Sequence, residues 1–96
     1  MEKWLNCEIS TGQFTGEFAV SGELFDNSGF SLFAQKEDLG FPKGKEPDEN
    51  NSVHGTIRVT PLETKKDLVL VELPRPTLEN GRSITVRTEQ IKENPK

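Results

Sequence analysis

Ninety-six residues make one domain's worth of chain, near the smallest size at which one hydrophobic core forms without metals or crosslinks, so a two-domain arrangement is excluded. Only 31% of the residues are hydrophobic and mean hydropathy is -0.64, which calls for a thin core of the kind a small barrel or sandwich builds. Sixteen acidic against twelve basic residues give a formal charge of -4. No basic block is long enough to displace phosphate counterions: Lys43 and Lys45 stand beside Glu46, and Lys65 and Lys66 beside Glu63 and Asp67. Nucleic acid is therefore the less favoured partner class.

The single cysteine, Cys7, rules out an intramolecular disulfide. MEKWLNCEIS at the start holds no apolar run of signal-sequence length, and no stretch approaches the ~20 apolar residues that cross a bilayer. The expectation is a cytoplasmic protein without a membrane partner.

Along the chain, strand signals dominate. Leu5, Cys7 and Ile9 alternate with Asn6 and Glu8, the period of a strand with one wet face, which leaves Trp4 on the outer face or at an edge. STGQFTG, residues 10–16, turns the chain. Glu17 to Leu24 alternates again, with Phe18, Val20 and Leu24 inward. FDNSG, residues 25–29, supplies tight-turn residues and predicts a hairpin into a third strand, with Phe30, Leu32 and Ala34 inward and Phe33 outward. QKEDL then loses the alternation and fits a short 3₁₀ turn whose leucine folds back onto the barrel.

Residues 40–54 carry two prolines, two glycines and mostly polar side chains, and predict a mobile loop. Beyond it, Ile57 and Val59 alternate with Thr56, Arg58 and Thr60 until Pro61. LVLVEL, residues 68–73, is the one continuous apolar run and predicts a strand buried on both faces. Asn80 and Gly81 make a turn dipeptide before Ser83–Arg87, where Ile84 and Val86 point inward, and TEQI forms a second polar corner. Residues 92–96 are expected to fray.

The two halves share a pattern at an offset of 52 residues. Leu5 aligns with Ile57, Cys7 with Val59, Phe18 with Leu70, Leu32 with Ile84, Ala34 with Val86 and Leu39 with Ile91. Only Gly29, Ser31 and Glu37 recur as identities, which is the level of chance and gives no support to duplication. Core and corner positions recur, whereas Phe33 becomes Thr85 and Phe30 becomes Arg82.

Catalytic and metal motifs are absent from the sequence. His54 is the one histidine and sits at a loop end; Cys7 lies on an inward face; no serine sits in a nucleophile elbow, and no phosphate-binding or EF-hand spacing occurs. Glu46, Asp48 and Glu49 lack the spacing of a calcium loop. No cofactor is implied. LPRP, residues 73–76, reads as a rigid connection, since a polyproline ligand core needs one more residue between its prolines.

These elements predict an all-β single domain over residues 1–96, a small barrel of about six strands with short 3₁₀ or helical turns after strands three and six. Tight turns and the 3₁₀ corner make it similar in architecture to the SH3-like class; an OB-like barrel and a two-repeat barrel with interleaved halves are the alternatives. By analogy with such barrels, the expected function is non-enzymatic: a protein-interaction module or accessory subunit. Trp4, Phe14, Phe33 and Phe41 depart from the inward alternation and are the candidate contact residues. The alternative is nucleic-acid binding by an outward stripe of Arg58, Arg82 and Arg87, which requires their strands to lie side by side. An enzyme using the corner carboxylates Glu37 and Glu89 is the least favoured class, because neither implies a pocket.

Overall fold

The computed structural model describes residues 2–79 and 81–95; Asn80 of the expected turn dipeptide and Lys96 lie outside the described residues. Six long strands follow the expected order: β1 (Lys3–Thr11), β2 (Glu17–Glu23), β3 (Gly29–Gln35), β5 (Val53–Lys65), β6 (Leu68–Glu72) and β7 (Ser83–Arg87). Two further strands of two residues, β4 (Leu39–Gly40) and β8 (Ile91–Lys92), each follow a 3₁₀ turn, Lys36–Asp38 and Thr88–Gln90. All pairings are antiparallel. The long strands lie in the order β3-β2-β1-β5-β6-β7 and curl into a half-barrel, with β4 added to β5 and β8 to β1.

The offset of 52 residues is a local two-fold axis. Leu5 lies directly opposite Ile57 on the central β1–β5 pair, and these are also the residues that correspond between the halves. Each half hands its last strand to the other: Leu39 of β4 sits opposite Ile57, and Ile91 of β8 sits opposite Leu5. The halves are interleaved. The polar corners recur because both end in a large aliphatic residue that must return to the core, and a 3₁₀ turn is the shortest way to redirect the chain there. Leu5, Ile9, Ile57, Val59, Val71 and Val86 fill the interior with almost no exposure, alongside Leu32, Val20 and Leu73.

Three expectations need correction. β6 is covered on one face only: Val69 and Val71 are buried, while Leu68 and Leu70 are half-buried. Phe18 therefore corresponds to Val69, not Leu70. A bulge between Pro61 and Glu63 absorbs the extra residue, and a slip of one residue exchanges the faces of the whole strand. An alignment without gaps cannot register it.

Residues 40–54 carry more structure than their composition suggests. Gly40 is buried in β4, Pro42–Gly44 forms a 3₁₀ turn, and Lys36 pairs with Glu46 at 2.7 Å. Asp48 and Asn51 exchange backbone hydrogen bonds of 3.0 and 3.2 Å, and the Asp48 carboxylate accepts the Asn50 N–H at 2.9 Å, closing a side-chain-capped turn. The C-terminal segment is likewise held. Lys92 pairs with Trp4 in the ladder, Glu93 accepts from Lys3 at 2.6 Å, and the Thr56 hydroxyl donates to the Pro95 carbonyl at 2.8 Å.

The outermost strands, β3 and β7, are covered by loops from the opposite half. The Phe25 N–H donates to the Thr85 carbonyl of β7 at 3.0 Å, and the Leu78 N–H donates to the Ser31 carbonyl of β3 at 2.8 Å. Covering an edge in this way removes the backbone template for aggregation. Pro74 and Pro76 keep the second covering loop from becoming an edge strand itself.

Candidate interaction surface

Phe33 projects from the outer face of β3, opposite Ala19 of β2, and is 36% exposed. Phe14 stands in the β1–β2 turn and is 71% exposed. That turn is held by the Gly12 N–H on the Glu17 carbonyl at 2.9 Å and the Glu17 N–H on the Phe14 carbonyl at 3.1 Å, with Gly16 in the left-handed region at a φ of 83°. The two rings line a shallow cleft of about 180 Å³ together with Glu17, Gln35 and Arg75.

Arg75 reaches the cleft because the loop after β6 runs back along β3. Leu78 is bonded to the Ser31 carbonyl, and the Glu79 carboxylate accepts both the Ser31 N–H at 2.9 Å and its hydroxyl at 2.7 Å. Thr77, which donates to the Gly81 carbonyl at 2.9 Å, closes the far end of the loop. Pro74 and Pro76 fix the backbone on either side of Arg75. Leu78 is 65% exposed, and its backbone is bonded to β3 two residues before Phe33. LPRP is a connection, as its composition implies, but its arginine also carries a signal in the sequence: clamped between Pro74 and Pro76, it is a cation on a backbone held at a fixed place.

The two donors of Ser31 hold the Glu79 carboxyl below its usual range. A carboxylate whose folded value is depressed stabilises the fold above its unfolded value, and that contribution disappears as pH falls through the folded value. Acidification below about pH 4 is expected to release the loop from β3 while the β1–β5 ladder persists. Exchange protection of the Ser31 and Leu78 amides, measured against the intrinsic rate at each pH, should then fall, and Glu79→Gln should remove this loss. Protection of both amides that stays constant from neutral pH to about 3 would contradict the tether.

The other candidate aromatics lie elsewhere. Phe41 is half-buried and packs its ring against Phe18, centroids 5.3 Å apart and planes at 59°, so it extends the core. Trp4 is half-buried on β1, opposite Arg58 and Lys92. Of the four candidates, only Phe14 and Phe33 line one cleft.

The arginine stripe is not formed, since β6 separates β5 from β7. Each of its members is also engaged. Arg58 donates to Asp38 and, at 2.9 Å, to Glu2, and the Asp38 bond raises its already high pKa. Arg82 donates to the carbonyls of Leu73 and Pro74 at 3.4 and 3.1 Å. Arg87 donates to the Phe25 carbonyl at 3.0 Å and the Asn27 side chain at 3.1 Å, with Glu23 and Glu89 within 3.8 Å.

A larger groove, about 670 Å³, opens where β2 and β8 diverge from β1. Its floor carries Ser21, Glu8 and His54 in one row across β2, β1 and β5, with Asn6, Gln90 and Lys92 around it. Glu8 occupies the middle of that row and accepts the Ser52 hydroxyl at 2.6 Å. A nucleophile relay needs the histidine beside the serine, and here the carboxylate separates them. No group of three metal-ligating side chains exists among the described residues. The symmetry-related fork on β5 is filled: Arg58 stands where Asn6 does, Asp38 where Gln90 does, and their ion pair leaves about 200 Å³. Cys7 borders the open groove, but burial pushes its thiol up to about 12, far from the range of a nucleophile.

No family model, curated protein or solved structure matches the chain.

Proposed function

We propose that the protein is a non-enzymatic protein-interaction module or small accessory subunit of the cytoplasm, and that Phe14, Phe33 and Arg75 form the centre of its contact surface. The observation that carries this reading is a difference between the two halves of a symmetric fold. Core and corner positions correspond across the axis, whereas the exposed aromatics do not: Thr85 takes the place of Phe33, and the short turn of Lys66 and Asp67 stands where the longer turn carrying Phe14 does. Packing explains what recurs and leaves the aromatic pair without a structural purpose. Aromatic rings beside an arginine, with little lysine around them, are the composition of the core of protein interfaces. The SH3-like resemblance supports the reading by analogy alone.

Nucleic-acid binding has less support, because Arg58, Arg82 and Arg87 already satisfy carboxylates and carbonyls of the protein itself. Retention on heparin at low salt tests it.

The proposal is tested by capture on the immobilised protein from its native cell. Phe33→Ala is expected to weaken capture of the specific partners by about 30-fold or more, as truncation of a central aromatic does. Thr85→Ala, at the symmetry-related position, should leave capture intact. Equal capture by all three proteins would overturn the proposal.

A further inference from the structure

Resting on that reading, we propose that Arg75 is the specificity residue of the surface and that the partner presents a single carboxylate side chain next to an apolar one. Among the four arginines, Arg58, Arg82 and Arg87 have internal hydrogen-bond partners, whereas Arg75 has none among the described residues. An exposed arginine free to move anywhere carries no information. Arg75 is different because its backbone is fixed between Pro74 and Pro76 and its loop is anchored to β3 through Leu78 and Glu79. Arg75 is thus held at the cleft that Phe14 and Phe33 also line.

A guanidinium is weakly hydrated and planar, so it lies against aromatic faces while offering a two-pronged donor to an anion. A carboxylate satisfies that fork in one plane. The rings beside it can cover an aliphatic or aromatic neighbour of the acid. Glu17, the one acid in the cleft, has its side-chain stem against Gly12 of the β1–β2 turn and forms no ion pair with Arg75.

The magnitude of charge follows from the same count. One arginine matches one negative charge; a phosphate, near two charges, needs a second cation or a nest of amides. The net charge of -4 also opposes a run of acidic residues at long range. The recognised element is therefore one Asp or Glu within an otherwise apolar or neutral segment.

The test is selection of a phage-displayed random peptide library on the immobilised full chain, in wild type, Arg75→Glu and Phe33→Ala. Wild type is expected to enrich peptides with one Asp or Glu adjacent to an aromatic or aliphatic residue, and Arg75→Glu to enrich Lys or Arg at that place. For a selected synthetic peptide, replacing the acid by Lys should weaken binding to wild type by about tenfold or more and restore it on Arg75→Glu. Enrichment of the same acidic peptides by Arg75→Glu, at equal affinity, would overturn the assignment of Arg75 and leave the aromatic surface standing. Selection of the same peptides by Phe33→Ala, or no enrichment on wild type, would overturn both.

Discussion

Ile57→Ala is expected to lower unfolding stability by about 2–5 kcal/mol, a large share of the ~5–15 kcal/mol typical of a domain. Ile57 is fully buried, and it lies beside the local axis, opposite Leu5 of β1 on one side and Leu39 of β4 on the other. Truncation therefore opens a cavity where the two halves interlock, and neither half can close it without moving the other. The surroundings are β strands fixed by ladders on both sides, so collapse around the void is limited. Urea unfolding should show a lower midpoint with an unchanged slope. Leu70→Ala is the contrast: on the outer face of β6 and half-buried, it should cost well under half as much. Equal costs would contradict the one-residue slip of β6.

Gly55→Ala is expected to cost about 1–3 kcal/mol, the range of overpacking. A Cβ on Gly55 would overlap the Gly40 carbonyl oxygen and meet Ile9 Cδ1 at 2.7 Å. A methyl end can turn aside, but a backbone carbonyl in a ladder cannot. The strain is relieved only if β4 moves away from β5, so amides of Leu39 and Gly40 should lose exchange protection. Gly29→Ala meets only the Gly22 carbonyl at 3.7 Å, an ordinary contact, and should be close to neutral. If Gly55→Ala were as mild as Gly29→Ala, the close approach of β4 to β5 would be wrong.

The legible part of the fold was its periodicity. Leu5, Cys7 and Ile9, or Phe30, Leu32 and Ala34, announce their buried face by spacing two apart, and the structure buries all six. The corners were legible because Lys36–Asp38 and Thr88–Gln90 both interrupt the alternation just before an aliphatic residue. β4 and β8 were not. A strand of two residues is defined by what lies opposite it, and Leu39 against Ile57 is separated by too much chain for local pattern to show. The slip of β6 was hidden for a related reason: LVLVEL is apolar on both faces, so only its neighbours decide which face turns inward.

For the surface, the outward position of Phe33 was readable from its flanking Ser31 and Gln35, and its sharing a cleft with Phe14 was not. That shared cleft depends on how the β1–β2 turn lies against the β2–β3 pair. Phe41 shows the limit of alternation: a loop aromatic has no periodicity to violate, and it found a place against Phe18. The arginines illustrate a second limit. Arg58, Arg82 and Arg87 all leave the core as expected, but their partners Asp38, Leu73 and Phe25 come from other elements, so commitment to the fold is invisible in the sequence.

The open fork at Asn6 and the closed one at Arg58 are a further product of the symmetry. The same backbone is plugged by an ion pair in one half and left with short amides in the other. Functional differences in a fold of this kind are to be sought by comparing the halves, position against position, rather than by motif.

Amide chemical shifts of the labelled protein during titration with a peptide selected on wild type test this account most directly. Changes concentrated at Phe14–Glu17, Phe33–Gln35 and Arg75, with Lys66 in the corresponding turn of the other half and the symmetry-related Thr85 unmoved, are the result predicted. Changes centred on the open groove at Asn6, Glu8 and His54, or spread equally over both halves, would contradict it.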